Sequence, residues 1–167
     1  LLRVSAGRYH TPVNWWNTAY HHGQWLQTTV GRPEMTRFGG QFIPVHFVGA
    51  LVEGTTPVGP FGLNYKVGLG NGRATAVARP GDAGENNGAT ARLVNLSLRP
   101  ERLYGLQVGG SLYRDTIHLA DSSRWEETLS AAHVALETET PEVIGEFARA
   151  RHRGAGGVRA DSEAWYV

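Results

Sequence analysis

Apolar and polar residues alternate with a period of two along much of this chain. The clearest example is the segment FGLNYKVGLGNG, which begins at Phe61. One parity of this segment carries the apolar residues Phe61, Leu63, Tyr65, Val67 and Leu69, and the other carries Gly, Asn and Lys. Because successive side chains of a β-strand point to opposite faces, this period indicates a strand and excludes a helix.

The same alternation recurs along the chain. It is clear in RLVNLSLRP, from Arg92, and in LYGLQVGGSLYRD, from Leu103. Weaker versions lie in LLRVSAGRY, VHFVGALVEG, LSAAHVALETE and VIGEFARARH. Only residues 18–29 have a helical pattern, so the sequence predicts an all-β protein with about eight strands.

Long and short connections alternate between the predicted strands. Residues 10–44 and RATAVARPGDAGENNGAT form long connections, whereas TTPVGP, PER and Thr140-Pro141 form short ones. Medium loops at TIHLADSSRWEE and RGAGGVRADS continue the series. A meander through a membrane has tight turns on one side and long loops on the other. The alternation therefore predicts an antiparallel up-and-down meander that is all or part of a transmembrane β-barrel.

The strand length and the two faces agree with this prediction. Strands of about ten residues match the ~9–11 that cross a bilayer obliquely. We expect Leu63, Tyr65, Val67, Leu96, Leu106 and Val108 to face lipid, and Tyr65, Tyr104, Trp165 and Tyr166 to belong to interfacial aromatic girdles. The pore-lining residues are predicted to be Asn64, Lys66, Asn95, Arg99, Gln107, His133 and Arg149. The polar face predicts a water-filled lumen without a dry core, although a soluble barrel or sandwich with the faces reversed stays open.

The segment GRYHTPVNWWNTAYHHGQW, residues 7–25, is dense in aromatic and histidine side chains. One hypothesis is a constriction loop that folds into the lumen, formed by Trp15, Trp16, His21, His22 and Trp25. The alternative is an external loop in which the aromatic residues only pack. A metal site is disfavoured because neither HxH nor HExxH spacing occurs.

Part of the chain resembles a known family. AGRYHTPVNWWNTAYHHG, residues 6–23, is similar to the strand-end segment of bacterial outer-membrane porins related to the phosphate-selective porin group. GGQFIPVHFVGALVEG and LNYKVGLGNGR resemble the hairpin that follows it in porin-like proteins. The resemblance implies a monomeric or trimeric barrel of roughly 16–18 strands. With about eight strands, this chain would be half of such a barrel, or a small complete barrel if the chain is whole.

Composition narrows the functional classes. The 16 basic and 15 acidic residues nearly cancel, which disfavours a nucleic-acid partner. The absence of cysteine excludes disulfides and thiolate metal sites. No catalytic constellation and no cofactor motif stands out, so we expect no enzyme activity and no cofactor.

The predicted function is passive transport. We expect residues 1–167 to form one barrel domain, or a fragment of one, in the bacterial outer membrane. The expected partners are membrane lipid or lipopolysaccharide and, in a homo-oligomer, further copies of the chain. Small hydrophilic solutes would diffuse through the barrel. The predicted lumen charges are Lys66, Arg99 and His133, with Arg149 and Arg151 added if the seventh strand keeps the parity that removes them from lipid. They slightly outweigh Glu137 and Glu146, which predicts a weak anion preference. The alternative is a soluble binding module that uses the aromatic and histidine-rich loop.

Overall fold

A computed structural model describes residues 1–20, 31–37, 42–56, 59–72 and 87–167. Eight strands form one open antiparallel sheet in which each strand pairs with its neighbours in sequence. The strands are β1 (Leu2–His10), β2 (His46–Thr56), β3 (Leu63–Asn71), β4 (Thr90–Leu98), β5 (Leu106–His118), β6 (Arg124–Glu137), β7 (Glu142–Gly154) and β8 (Arg159–Tyr166). The all-β meander of eight strands is therefore confirmed.

Helical structure is minor. Helix α1 spans Trp16–Ala19, and 3-10 turns occupy Glu34–Thr36, Gly59–Phe61 and Ala155–Gly157. Within the described part of the chain, no helix is long and apolar enough to span a membrane.

The connections follow the predicted alternation only in part. Residues 11–45 and 72–89 connect strands at one end of the sheet, which we call the loop end; residues 57–62, 99–105 and 138–141 connect strands at the other, the turn end. At the loop end, however, residues 119–123 and 155–158 are short connections as well. Strict alternation is therefore wrong.

The predicted medium loop at residues 116–127 is mostly strand. β5 continues to His118 and β6 begins at Arg124, with Ile117 directly opposite Trp125. Charged positions in this segment suggested a loop, but its β-branched and aromatic residues favour strand. A tight turn closes the hairpin, where the carboxylate of Asp121 accepts a hydrogen bond from the Ser123 amide at 2.9 Å.

The two faces of the sheet differ in burial. In β4, Leu93, Asn95 and Ser97 are buried, whereas the alternate residues Val94 and Leu96 are exposed. The buried side of the whole sheet is the covered face, and the other side is the open face. The connection between β1 and β2 lies over the covered face. Its described parts, residues 11–20, 31–37 and 42–45, are called the covering segment.

A hydrophobic core lies between the covering segment and the loop-end half of the covered face. The segment contributes Val13, Met35 and Ile43, and the sheet contributes Phe47, Ala91, Leu93, Tyr113, Leu129, Ala131, Ala148 and Ala150. The expectation of a polar face without a dry core is therefore wrong. Leu93 and Tyr113 share their parity with Asn95 and Ser111, which lie nearer the turn end. The covered face therefore changes from polar to apolar between these positions of β4 and β5.

Polar anchors hold the covering segment across the sheet. Both backbone amides at the start of α1, from Trp15 and Trp16, donate to Oε1 of Glu146 on β7, at 2.7 and 2.6 Å. Tyr20 donates its hydroxyl to Oε1 of Glu142 at 2.6 Å. Burial and this carboxylate raise the pKa of Tyr20. The segment thus starts at β1 and reaches β7 at the far side of the sheet.

Candidate functional site

A polar cavity of about 220 Å³ lies between the covering segment and the turn-end half of the covered face. Six of the seven predicted pore-lining residues line it: Asn64, Lys66, Asn95, Arg99, Gln107 and His133. From the predicted constriction loop, Trp15 lines the same cavity, together with Pro12, Asn14 and Thr18 of the covering segment and Ser97 of β4.

Strand register brings the lining residues together. Lys66 on β3 lies directly opposite Asn95 on β4, which in turn faces Ser111 on β5. Directly opposite residues share a face, so equal parity in neighbouring strands gives a continuous polar surface. Asn95 donates to Oγ of Ser111 at 2.8 Å, and that hydroxyl reaches the carbonyl oxygen of Pro12 at 3.4 Å.

Three side chains form a hydrogen-bonded chain at the cavity wall. Arg99 donates from Nε to the side-chain oxygen of Gln107. The amide nitrogen of Gln107 lies 3.0 Å from Nε2 of His133. Because this amide nitrogen can only donate, His133 accepts at Nε2 and is the neutral tautomer with its proton on Nδ1. The chain fixes the position of each member.

A glycine makes room for the imidazole. A Cβ placed at Gly109 would lie 2.5 Å from Cε1 of His133 and 2.8 Å from the carbonyl oxygen of Leu96. Gly109 is directly opposite His133 in the β5–β6 register. The ring therefore leans over a position where any side chain would displace it.

Trp15 connects this wall to the covering segment. Its ring stacks on that of His133, with centroids 6.4 Å apart and planes inclined by 24°. The guanidinium of Arg99 lies over the Trp15 ring, 5.2 Å from the centroid. Nε1 of Trp15 and Nδ1 of His133 are buried, and neither has a hydrogen-bond partner among the residues that the structure describes.

The charge in the cavity is positive. Lys66 and Arg99 are the cationic residues of the lining, and none of the described lining residues carries a carboxylate. Glu53 lies opposite Lys66 on β2, but it already forms an ion pair with Arg3. The cavity thus attracts anions and polar oxygen atoms.

Arg149 is the exception among the predicted pore-lining residues. It lies on the open face, in register with Ser130 and Glu163, whereas its neighbour Ala148 is buried on the covered face. Its guanidinium is paired with Asp161 at 2.8 Å and with Glu163 at 3.2 Å. Grouping Arg149 with the other six is therefore wrong, and so is the assignment of Arg151 to the lumen, because it shares the parity of Arg149 and is exposed on the open face. The positive charge of Arg149 on this face of β7 is explained by its acidic partners on β8, and not by a position in a lumen.

The other members of the predicted constriction loop have different positions. Trp16 is buried within the covering segment, beneath the guanidinium of Arg32, which lies 4.8 Å from its ring centroid. Burial lowers the pKa of Arg32. His21, His22 and Trp25 lie outside the described residues, as does most of the helical pattern predicted for residues 18–29.

The predicted aromatic girdle divides between the faces. Tyr65 and Trp165 lie on the open face, in the row that also holds Leu96 and Phe147. Tyr104 is exposed in the connection between β4 and β5. Tyr166 is instead on the covered face, opposite Glu146, where it packs against the core, so its assignment to a girdle is wrong.

Some residues of the site were missed by sequence reasoning. Ser97 has the same parity as Asn95, a signal that could have found it. The anchoring role of Glu146 has no local signal, because its partners are in α1. Over the described ranges, no group of three His, Asp or Glu residues is arranged to hold a metal ion.

Comparisons with known proteins add no assignment. The chain matches no family model, and no curated protein and no solved structure is similar to it. The geometry of the sheet and its cavity is therefore the basis for assigning a function.

Proposed function

We propose that this chain is part of a membrane-spanning β-barrel in the bacterial outer membrane, and that the barrel is a passive channel for small hydrophilic solutes. The observation that carries the proposal is the open face of the sheet. It exposes apolar side chains in adjacent rows, including Val4, Val67, Leu69, Val94, Leu96, Leu112, Val134 and Phe147. So large an exposed apolar surface is typical of contact with lipid or a partner.

The edge of this apolar surface shifts systematically from strand to strand. On the open face of β3 the apolar positions continue to Leu69, whereas on β4 and β5 they end at Val94 and Leu112, one row nearer the turn end. On β7 they end at Phe147, a further row away. Rows run at right angles to the strands, so a stepped edge is what strands tilted by ~35–45° require if the edge follows a membrane surface.

The covered face supports a channel. Its turn-end half presents polar side chains around a cavity, and its loop-end half is narrowed by the covering segment, which Glu146 holds in place. In a closed barrel this face would line the lumen, and the covering segment would form the constriction. Lys66 and Arg99 then give the pathway a weak preference for anions.

The two outer strands of the described sheet do not pair with each other, so the sheet is not a closed barrel. Among the described strands, β1 pairs with β2 alone and β8 with β7 alone, so both outer strands have a free edge. Unpaired backbone groups are not tolerated in hydrocarbon. In our proposal, strands from a longer chain or from a second copy pair with these two edges.

A soluble binding module is the second candidate. The hydrophobic core under the covering segment favours it, because such a core stabilises a sheet without lipid. In this alternative the cavity beside Trp15 would bind a polar ligand, and the open face would pack against another protein surface.

Membrane fractionation of cells that express the intact protein, combined with heat-modifiable migration on SDS gels, separates the two candidates. We expect extraction from the outer-membrane fraction only by detergent, and faster migration of the unheated sample. Discrete conductance steps in planar bilayers would then demonstrate the channel. A protein that stays in the soluble fraction and migrates identically before and after heating would refute the proposal.

A further inference from the structure

Three arginine side chains occupy one row of the open face near the loop end. Arg92 on β4 is directly opposite Arg114 on β5, which is opposite Thr128 on β6, which in turn is opposite Arg151 on β7. All three arginines are exposed, and the four residues line a groove of about 610 Å³. We call these four residues the arginine row.

The arrangement of Arg92 and Arg114 is unfavourable by itself. Directly opposite side chains in an antiparallel pair have Cβ atoms about 4.5–5.5 Å apart, and like charges at such positions are destabilising. In the part of the chain that the structure describes, the guanidinium group of neither arginine has an ion pair or a hydrogen bond. Glu126, one row nearer the loop end, forms no ion pair with them.

Arg151 has only a shared partner. It lies opposite Asp161 on β8, but the carboxylate of Asp161 is already bound by Arg149 at 2.8 Å. The same groove is also lined by Arg153 and by the carboxylates of Asp115, Glu126 and Glu127, but Asp115 and Glu127 are buried on the covered face, and Glu127 is paired with His152 at 2.7 Å. An anion from outside the chain would relieve the repulsion between Arg92 and Arg114.

The position of the row restricts the kind of anion. Val94 and Leu112, the preceding open-face residues on β4 and β5, are the last apolar positions before the arginines. If the apolar surface faces hydrocarbon, the guanidinium groups lie at the level of the lipid headgroups. There the phosphate groups of anionic lipids are the most concentrated anions.

We propose that the arginine row binds the phosphate groups of anionic lipid headgroups at the outer surface of the barrel. Guanidinium groups bind phosphate oxygens through paired hydrogen bonds, and the Thr128 hydroxyl supplies a further donor between Arg114 and Arg151. This inference rests on the proposed membrane location. It assigns to the chain a lipid site on the face opposite to the solute cavity.

The test measures lipid retention by the intact protein, purified in an uncharged detergent. Native mass spectrometry would count bound phosphatidylglycerol across a titration, with zwitterionic phosphatidylcholine as the comparison. The double variant Arg92→Gln/Arg114→Gln removes the central pair. Arg37→Gln/Arg102→Gln is the matched control, since it removes the same charge at exposed positions away from the row.

We expect the apparent Kd for phosphatidylglycerol to rise roughly tenfold in the Arg92/Arg114 variant and to stay unchanged in the control, because charge-assisted hydrogen bonds are lost. Phosphatidylcholine should bind weakly and equally to all three proteins. Without lipid, the Arg92/Arg114 variant should unfold at the same temperature as the native protein or a higher one, since repulsion is removed.

Equal retention of phosphatidylglycerol by both variants would overturn the lipid site. Displacement of bound phosphatidylglycerol by a modest excess of inorganic phosphate would also overturn it, because it would indicate a site for free anions. Heat-modifiable migration of the same preparations tests the membrane location separately. If the native protein shows heat-modifiable migration but the Arg92/Arg114 substitutions do not change lipid retention, only the lipid site fails. If heat-modifiable migration is absent and the substitutions do not change lipid retention, both proposals fail.

Discussion

The carboxylate of Glu146 accepts a hydrogen bond from the backbone amide of Trp16, although 130 positions separate the two residues in sequence. The same oxygen accepts a second bond from the amide of Trp15. Hydrogen bonds to a charged group are among the stronger ones in proteins, worth about 1.5–3 kcal/mol each. This contact therefore fixes the covering segment over the covered face.

Replacing Glu146 with Ala should release the covering segment. Both amides at the start of α1 would lose their acceptor in a buried site, and we expect the free energy of unfolding to fall by about 3 kcal/mol. Limited proteolysis by trypsin should then cut faster after Arg37, which is exposed in this segment. If the segment narrows a channel, the single-channel conductance should rise as well.

Glu101→Ala is the control for this variant. Glu101 is exposed in the connection between β4 and β5, so the same change of side chain there leaves the hydrogen bonds to α1 intact. Equal trypsin cleavage rates in the two variants would show that Glu146 does not hold the segment in place.

The sequence predicted the strands better than the connections. Period-two alternation in β3, β4 and β5 arises from burial of one face, and burial acts on each residue locally. The hairpin at residues 116–127 was misassigned because the charges at Asp121, Glu126 and Glu127 suggested a loop. Asp121 is in the turn, whereas Glu126 is exposed on the open face of β6 and the buried Glu127 is paired with His152 at 2.7 Å.

The candidate site was predictable only where parity determines it. Asn64, Lys66, Asn95, Arg99, Gln107 and His133 line one cavity because residues of equal parity on neighbouring strands share a face. In β7 the sequence does not show which set of alternate residues lies on the covered face, and Arg149 was misassigned for this reason. The anchoring of α1 by Glu146 could not be predicted either, since it depends on tertiary packing.

Introducing a charge at Val67 tests whether the open face contacts lipid. Val67 is 43% exposed and lies in the row of Val52 and Val94. If this row is near the bilayer midplane, Val67→Arg should destabilise the protein by about 2–4 kcal/mol in lipid vesicles, because the charge enters hydrocarbon. Denaturant unfolding from vesicles, followed by tryptophan fluorescence, measures this.

The comparison variant is Asn71→Arg, at the loop end of the same strand and face. It lies beyond the apolar rows, so its cost should be within about 0–1 kcal/mol. A neutral Val67→Arg variant would count against lipid contact.

A methyl group at Gly109 should disturb the cavity wall. The added Cβ would meet His133 at 2.5 Å and the Leu96 carbonyl oxygen at 2.8 Å, and the carbonyl belongs to the paired strand and cannot move freely. We expect Gly109→Ala to destabilise the protein by about 1–3 kcal/mol, the usual effect of overpacking. Thermal unfolding by circular dichroism measures it.

Gly110→Ala is a matched control for Gly109→Ala. Its Cβ would lie no closer than 3.3 Å to a heavy atom, and it points to the open face. Unfolding temperatures that fall equally in the two variants would mean that the cavity wall has no tight contact at Gly109.

Ion selectivity tests the role of the positive residues in the cavity. Lys66 and Arg99 are the described cationic lining residues, and positive side chains in a narrow pore of low dielectric constant favour the entry of anions. The double variant Lys66→Gln/Arg99→Gln should therefore lose the anion preference, whereas Arg149→Gln should keep it, because Arg149 lies on the open face. Reversal potentials in planar bilayers under a salt gradient measure this preference directly.

Repeating these measurements at pH 8 and pH 5.5 shows whether histidines add positive charge below their ordinary pKa of ~6.5. If Arg149→Gln changes the anion preference more than the double variant does, the conducting path lies on the other face of the sheet. Cation selectivity of the native protein at both pH values would contradict the assignment of the cavity to the pore.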